Sequence, residues 1–312
     1  MKTLKLKSIL MLLAFVPLTL WAQEVEKEIN KVFNVSAESE LRIDNSFGDI
    51  ELQDWDRQEI KIDVKITIEG KNEEYARKAL EKIDVKFAQN GNMVMAETEN
   101  DCNCGNKIQK FSIDYVVRVP RDSRVQLRNS FGDVAVQDRN GPTKIDVQHG
   151  DFRLERLSHA DNIVELQFGD GDVEGVNGLS AKIQHSDFDG EDIRLLKLNV
   201  KFSDVELREV TQLSGGLEVQ HSDVNIEVIG KKWDEMNMNV DFSDVDIELR
   251  KDAEVRFEIQ TSFSDVDVDS GMKAVEKERG MNSSDYRVVV NNDSAPIIYG
   301  KLSHSDLNLS WK

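Results

Sequence analysis

Hydrophobic and polar residues alternate along most of this chain, in short runs that are interrupted at regular points. In LEVQHSDVNIEV, residues 217–228, Leu217 and Val219 alternate with polar residues, and after a break the alternation resumes at Val224. Because successive side chains of a strand point to opposite faces, each run predicts a half-buried β-strand. Two runs separated by a two-residue phase break predict two short strands that meet at a bend.

The bend contains a repeated motif, in which an aromatic ring residue is followed by Gly or Ser and then by Asp. From Asp133 to Asp265 consecutive motif aspartates are 17 to 21 residues apart, and the last step is 41. A degenerate copy is expected around Asp285, halfway along that step. The ten clear copies end at Asp49, Asp133, Asp151, Asp170, Asp187, Asp204, Asp223, Asp244, Asp265 and Asp306.

This repeat predicts a mainly β protein, a parallel β-solenoid with about 20 residues per rung. A unit of this size cannot bury its own apolar face, whereas stacked units bury a continuous core. Neighbouring rungs would lie about 4.8 Å apart, and the crossover preference predicts a right-handed solenoid. The alternative is an antiparallel β-sandwich, which is less favoured because sandwich strands rarely repeat one motif in phase.

The first and second copies of the motif are separated by a different kind of sequence. EIKIDVKITIE, residues 59–69, alternates as a strand, and NEEYARKALEKI, residues 72–83, places apolar residues on one helical face. We expect a small α+β insertion that caps the N-terminal end, because an open rung is an aggregation edge. The predicted organisation is a signal peptide over 1–22, N-terminal strands and a first rung over 23–54, the insertion over 55–128, and solenoid repeats over 129–312.

The first 22 residues have the composition of a secretory signal peptide. Three lysines precede an apolar run from Ile9 to Trp21, and cleavage is expected near Ala22. The run is short for a membrane span, which needs about 20 residues. We therefore expect an exported protein, periplasmic, secreted or at the cell surface, with no membrane span after cleavage.

The charge balance limits the classes of partner. The chain has 59 acidic and 40 basic residues, a formal net charge of -19, and loss of the signal peptide would remove lysines but no acids. Nucleic acids and anionic membranes bind basic patches, so neither is an expected partner. An envelope protein or a glycan fits better, and we expect the protein to be a monomer.

His221, Ser222 and Asp223 are the residue types of a hydrolytic triad, but three arguments oppose catalysis. Adjacent strand residues point apart, a triad is needed once rather than ten times, and six of the ten copies have Phe, which is not a base. The shared property of Phe and His is a flat ring. We therefore predict a structural, inward-facing stack of rings along the solenoid, formed by Phe131, His149, Phe168, His185, Phe202, His221, Phe242 and Phe263.

The motif aspartates predict a column of carboxylates. At one per rung, adjacent carboxylates would repel each other by about 3.5 kcal/mol at an effective dielectric constant of 20. Amide hydrogen bonds or bound cations would offset this repulsion. No tightly held cofactor is predicted, but the column is a candidate site for weak Ca²⁺ or Mg²⁺ binding at Asp187, Asp204, Asp223, Asp244 and Asp265.

The only two cysteines, Cys102 and Cys104, lie in one loop of the insertion. An oxidising compartment favours their pairing, although a bridge between residues so close in sequence closes a tight ring. We predict a disulfide that stiffens this loop.

These features together resemble the putative-adhesin family of exported bacterial β-helical proteins, in particular its Bacteroidetes type. The likeness covers about residues 40–310 and rests on the signal peptide, NSFGDIELQDW, IDYVVRVPRDSRVQLRNSFGDVAV and the serial motif copies. It implies a β-helix at the cell envelope with no established catalytic residues. Our leading hypothesis is a non-catalytic adhesin or scaffold that presents an acidic solenoid surface. The alternatives are a polysaccharide lyase or hydrolase and a self-assembling filament.

Overall fold

The computed structural model describes residues 23–102, 107–231 and 233–312. The protein is mainly β, with 67% of residues in strands and 3% in helix. In chain order the elements are β1 (Gln23–Asn34), β2 (Glu40–Asn45), β3 (Ile50–Trp55), β4 (Glu59–Gly70), α1 (Glu73–Leu80), β5 (Ile83–Asn90), β6 (Met93–Asn100), β7 (Ile108–Pro120), β8 (Arg124–Phe131), β9 (Val134–Val136), β10 (Thr143–His149), β11 (Phe152–Leu154), β12 (Asn162–Gln167), β13 (Gly171–Val176), β14 (Leu179–Gln184), β15 (Phe188–Ile193), β16 (Leu195–Lys201), β17 (Asp204–Val210), β18 (Gln212–Gln220), β19 (Asp223–Val228), β20 (Met236–Asp241), β21 (Asp244–Leu249), β22 (Val255–Ser262), β23 (Val266–Val268), β24 (Lys273–Arg279), β25 (Ser283–Val290), β26 (Ile297–Ser303) and β27 (Asp306–Trp311).

The strands form two long sheets that enclose one hydrophobic core. The first sheet has the order β1-β4-β7-β3-β9-β11-β13-β15-β17-β19-β21-β27-β23, and the second has the order β24-β25-β22-β26-β20-β18-β16-β14-β12-β10-β8-β2-β6-β5. A rung is one strand of the second sheet followed, after the motif, by one strand of the first.

Neighbouring rungs pair as parallel strands in register. Val205 lies opposite Val224, and Val224 lies opposite Val245, so each inward side chain packs on its equivalent in the next rung. Along β19 the buried and exposed residues alternate as the sequence predicts. These parallel sheets confirm a mainly β fold of solenoid type, whereas the handedness and the number of residues per rung stay predictions.

Antiparallel strands close both sheets at the N-terminal end and the second sheet at the other end, where the first sheet finishes at the parallel strand β23. At the N-terminal end, β1 and β4 extend the first sheet, β5 extends the second, and α1 packs on β1 and β4. The helix begins after Asn72, whose side chain accepts a hydrogen bond from the Tyr75 amide, and it buries Ala76 and Ala79. At the other end, the hairpin β24–β25 extends the second sheet beyond β22. The domain boundaries drawn from the sequence stay a prediction.

The order of the rungs in space differs from their order in the chain. The final rung, β26–β27, lies between rung β20–β21 and rung β22–β23 in both sheets. The segment around Asp285, expected to be a degenerate motif copy, is instead the antiparallel strand β25. The long final step therefore reflects a hairpin, after which the chain returns and inserts its last rung between two earlier ones.

A buried ion pair connects the end of β3 to the segment after β9. The side chain of Arg139 is fully buried and that of Asp54 is 5% exposed, with 3.8 Å between Arg139 Nη1 and Asp54 Oδ1. Arg139 also donates to the carbonyls of Ser123 and Gly141. Burial raises the pKa of Asp54 to about 6 despite the nearby Arg139 and Arg121, and burial lowers the pKa of Arg139 to about 10.

We predict that the contribution of Asp54 to stability decreases as the pH rises. Its pKa in the folded protein, about 6, is above the ordinary value of 3.8, so folding favours the protonated form. This contribution is fully present below the unfolded pKa and is lost as the pH rises through about 6. Urea unfolding of the wild type and Asp54→Asn at about pH 4 and about pH 7 measures it. The wild type should gain stability relative to the variant at the lower pH, and an unchanged or reversed difference would contradict the prediction.

Candidate functional site: an exposed ladder of aromatic rings

The repeated motif lies at the corner where a strand of the second sheet ends and a strand of the first begins. In one rung β14 ends at Gln184 and β15 begins at Phe188. Between them His185 and Asp187 are exposed, whereas Ser186 is buried. The ring and the carboxylate therefore point outward, and the small residue between them points into the core.

The prediction that the rings face inward is wrong. The motif phenylalanines from the second copy onward are 45 to 57% exposed, and the motif histidines are exposed as well. From Phe168 onward the physical reason is the left-handed backbone conformation of the ring residue itself, whereas in two earlier copies the positive φ lies at Gly48 and Gly132. Seven ring residues have φ between 51° and 60°, in the left-handed region: Phe168, His185, Phe202, His221, Phe242, Phe263 and His304. One left-handed residue reverses the strand's alternation, so the ring points to solvent.

Ten rings stack along this corner and form what we call the ring ladder. Adjacent ring centroids are 4.8 to 5.2 Å apart and adjacent ring planes are 3 to 11° from parallel. In space the order is Phe47, Phe131, His149, Phe168, His185, Phe202, His221, Phe242, His304 and Phe263. At one end of the ladder Phe111 packs edge-on against Phe47, with an interplanar angle of 62°.

The sequence placed Phe242 next to Phe263, and the structure corrects this. His304 lies between them, 4.8 Å from Phe242 and 4.9 Å from Phe263 between ring centroids. The inserted final rung is the cause. As a result, Phe and His alternate in space at every step from Phe131 to Phe263, whereas in chain order the alternation stops at Phe242.

Buried serines form a hydrogen-bonded row directly beneath the ladder. Ser222 Oγ accepts from the Ser203 amide at 3.1 Å and donates to the Gln220 carbonyl at 2.8 Å. The same pair of bonds recurs in the rungs that contain Ser186, Ser203, Ser243 and Ser305. Because Ser222 lies inside and His221 lies outside, these two residues and Asp223 do not form the relay of a hydrolytic triad.

Near the N-terminal end, the middle residue of the motif is glycine instead of serine, and no side chain fits at that position. A Cβ atom on Gly150 would lie 2.1 Å from the Gly132 carbonyl oxygen, and one on Gly169 would lie 2.0 Å from that of Gly150. In these rungs the backbones approach too closely for any side chain. Gly and Ser are therefore not interchangeable at the motif's middle position, although the sequence repeat treats them as equivalent.

The motif aspartates form an exposed acidic column beside the ladder. In the glycine rungs the amide of each Asp donates to the carboxylate of the preceding one: Asp133 to Asp49 at 2.9 Å, Asp151 to Asp133 at 2.9 Å and Asp170 to Asp151 at 2.8 Å. Near the other end, Asp306 lies between Asp244 and Asp265 and bonds to both in this way. Amide hydrogen bonds therefore offset the repulsion in these rungs.

The proposed cation column receives no support from this geometry. Among the described residues there is no group of three or more His, Cys, Asp or Glu side chains placed to hold a metal ion. Asp244 and Asp265, adjacent in the predicted column, are also separated by Asp306. The predicted disulfide stays a prediction because Cys104 lies outside the described residues.

Polar side chains also flank the ladder on its other side. Gln148, Gln167 and Gln184 each precede a ring residue, and they lie on the neighbouring strands β10, β12 and β14 of the second sheet. We call them the amide column. The ring ladder is therefore an apolar strip with carboxylates on one side and polar residues on the other, carboxamides in these three rungs and Lys201, Gln220 and Asp241 in the next three.

The fold and the corner define a β-solenoid repeat protein with an exposed ring ladder. The family profile named Toastrack DUF4097 matches residues 34–295, and the chain belongs to this family. None of the curated proteins compared with the chain matches it. Within the described residues, no helix is long and apolar enough to cross a membrane.

Several solved structures are similar to the chain along most of its length. They include a "putative adhesin" from Bacteroides fragilis, with 11% identity over 92% of this chain and 97% of that one and a TM-score of 0.41. A "putative cell adhesion protein" from Clostridium sporogenes has 13% identity over 92% and 100%, with a TM-score of 0.26. A "putative lipid binding protein" from Parabacteroides distasonis has 9% identity over 90% and 96%, with a TM-score of 0.37. Likenesses at these scores do not identify the ligand of this chain.

We predict that Gly150→Ala destabilises the protein by about 1–3 kcal/mol, because the new Cβ would overlap the Gly132 carbonyl oxygen. Gly91→Ala is the control, since its Cβ would meet nothing within 4 Å and would cost only the strain of its positive φ. Chemical denaturation of both variants measures the difference. A smaller loss at Gly150 than at Gly91 would show that the rungs do not approach this closely.

We predict that Ser222→Ala costs about 1–3 kcal/mol, because it leaves the buried Ser203 amide without an acceptor. Ser264→Ala is the matched control. Ser264 accepts from the Ser305 amide in the same way, but it lies in rung β22–β23 at the end of the ladder and is partly exposed, so that water can replace it. Equal losses in the free energy of unfolding would contradict a buried serine row.

Proposed function

We propose that this protein is a non-catalytic, exported cell-envelope protein, an adhesin or scaffold, whose ring ladder is the interaction surface. In this proposal the ladder runs along a right-handed solenoid of about 20 residues per rung. The observation behind it is that ten rings stack on one continuous edge and nine of them are exposed, Phe47 being half-buried.

The exposed apolar area is large for a soluble monomer. An aromatic side chain can bury about 150–250 Å², so five half-exposed phenylalanines leave about 500 Å² in contact with water. This area is in the upper part of the range for the largest apolar patch on a soluble monomer, about 300–600 Å², and such patches are often functional. The area therefore favours an interaction surface over a purely structural stack.

The backbone beneath the rings supports the same conclusion. A residue with a Cβ in the left-handed region costs about 1–2 kcal/mol, and bulky residues are rare there. Gly or Asn at these positions would relieve or reduce the strain. Seven rings are nevertheless present at φ between 51° and 60°, which indicates that the exposed ring itself is needed.

The ladder is also rigid before it binds. Each ring except the terminal Phe263 packs between two others, and the serine row and the in-register strands fix the backbone beneath the ladder. A preorganised surface loses little conformational entropy on binding. This suits an adhesin or scaffold that binds an elongated partner.

A polysaccharide-acting enzyme is the second candidate, and one observation favours it. A depression of about 660 Å³ on the outer face of the first sheet gathers several aspartates with Arg153 and Arg208. Loss of hydration and the neighbouring Glu206 raise the pKa of Asp189 in this depression, which is the direction that favours a general acid. Release of shortened or unsaturated sugars from a panel of polysaccharides, abolished by Asp189→Asn, would establish this function in place of the first.

Sedimentation with bacterial cell envelopes tests the proposed function. The ladder variant Phe168→Asn/Phe202→Asn/Phe242→Asn removes three rings but keeps a residue type that tolerates the left-handed region. The control variant Val32→Ser/Val275→Ser/Tyr299→Ser removes three similarly exposed apolar side chains elsewhere. We expect the wild type and the control to sediment with envelopes, and the ladder variant to bind at least about tenfold more weakly, a loss of about 1.4 kcal/mol. Equal binding of a folded ladder variant would reject the proposal.

A further inference from the structure

We propose that the ring ladder binds an extended, uncharged β-1,4-linked polysaccharide, which lies along the corner with about one sugar per rung. This inference rests on the proposed function and specifies its ligand.

The first step is that the complete alternation of Phe and His is found in the spatial order of the rings and not in their chain order. Duplication of a two-rung block accounts for alternation in chain order from Phe131 to Phe242, but the chain order then breaks as Phe242, Phe263, His304. The alternation continues to the end of the ladder only because the final rung inserts His304 between Phe242 and Phe263. A requirement acting on the folded surface therefore explains the position of His304, which duplication in chain order does not.

The second step is that ring packing does not require the alternation. Phe47 stacks on Phe131 at 5.2 Å and 9°, almost the geometry of the mixed pairs. Two phenylalanines can therefore occupy adjacent rungs. Because packing accepts either ring, the two-rung period points to something that lies on the ladder.

The third step compares this period with the repeats of extended polymers. Two rungs span about 9.6 Å, twice the spacing of parallel strands. An extended polypeptide repeats every two residues, or about 6.6 Å, and falls out of phase within a few rungs. An acyl chain has no polar group that a histidine every second rung could match. A β-1,4-linked chain fits both requirements, because each sugar advances by close to one rung and successive sugars are turned over, so equivalent groups recur every second sugar.

The fourth step is the chemistry along the strip. Phenylalanine rings offer apolar contact to sugar C–H groups, and the imidazole nitrogens of His149, His185, His221 and His304 offer a hydrogen bond every second rung. The acidic column accepts hydrogen bonds from hydroxyls, while the amide column both donates and accepts. Carboxylates along the strip and a net charge of -19 repel uronate or sulfated chains, so an uncharged glycan is favoured.

Isothermal titration calorimetry with defined hexasaccharides tests the inference. The probes are the β-1,4-linked hexamers of N-acetylglucosamine and of glucose, with the α-1,4-linked glucose hexamer as the geometry control and oligogalacturonate as the charge control. We expect the wild type to bind at least one β-1,4 hexamer about tenfold or more tightly than either control. Equal affinity for the α- and β-linked chains, preference for the uronate, or no binding would overturn the inference.

Two variants distinguish the contribution of the rings to glycan affinity from the contribution of their Phe–His alternation. The ladder variant should lose about tenfold or more in affinity for the β-1,4 hexamer. His185→Phe/His221→Phe keeps a continuous strip of rings but removes the two-rung period, and it should also weaken binding about tenfold. The control variant at Val32, Val275 and Tyr299 should bind like the wild type. Unchanged affinity of the His185→Phe/His221→Phe protein would overturn the match between the alternation and the sugar repeat.

The envelope assay separates failure of this inference from failure of the proposed function. If no hexamer binds while the ladder variant still loses envelope binding, the proposed glycan ligand is rejected but the ladder remains the interaction surface. If the ladder variant binds envelopes like the wild type, the proposed function itself fails. Ladder-dependent dimers in sedimentation velocity would overturn the glycan in favour of a second copy of the chain.

Discussion

In-register parallel pairing between rungs is the constraint on which the rest of this structure depends. Because each residue pairs with its equivalent one strand spacing away, any side chain repeated in the sequence becomes a column in space. The rings, the buried serines and the motif aspartates are three such columns along one corner. A repeat of weak individual contacts thereby becomes a continuous, ordered surface.

Stacking equivalent side chains also costs free energy, because like charges and buried polar groups are brought together. Backbone hydrogen bonds at the corner offset part of this cost. Aspartates stacked at this spacing repel each other, and amide donors to their carboxylates offset the repulsion in the glycine rungs. In the serine rungs the hydroxyl satisfies a buried amide of the neighbouring rung. The left-handed ring residues other than Phe263 donate backbone hydrogen bonds to the next rung, as His221 does to the Asp241 carbonyl, and their rings stack. Their exposure along one continuous edge is why we assign them a role in binding.

Sequence reasoning could find the columns but not their direction or order. Spacing and alternation are enough to predict the strands around Val224 and the stacking of equivalent residues. They cannot show that His221 points outward, because a single left-handed residue reverses the alternation without changing the sequence period. The position of His304 between Phe242 and Phe263 could not be predicted either, because it depends on a long-range insertion of the final rung. The only sign of that insertion in the sequence is the doubled spacing of the last motif copy. The Asp54–Arg139 pair joins distant positions and has no local signal.

The spatial order of the last rungs is tested most directly by cysteine cross-linking, in a protein with Cys102→Ser and Cys104→Ser. Asn308 lies beside Asp246 on one side and Asp267 on the other, at a spacing of about 4.8 Å that permits a disulfide. The account predicts rapid oxidation of the Asp246→Cys/Asn308→Cys pair and none of Asp246→Cys/Asp267→Cys, whose Cα atoms would be about 9.6 Å apart. Efficient cross-linking of the second pair instead of the first would place the rungs in chain order and contradict the alternating ladder.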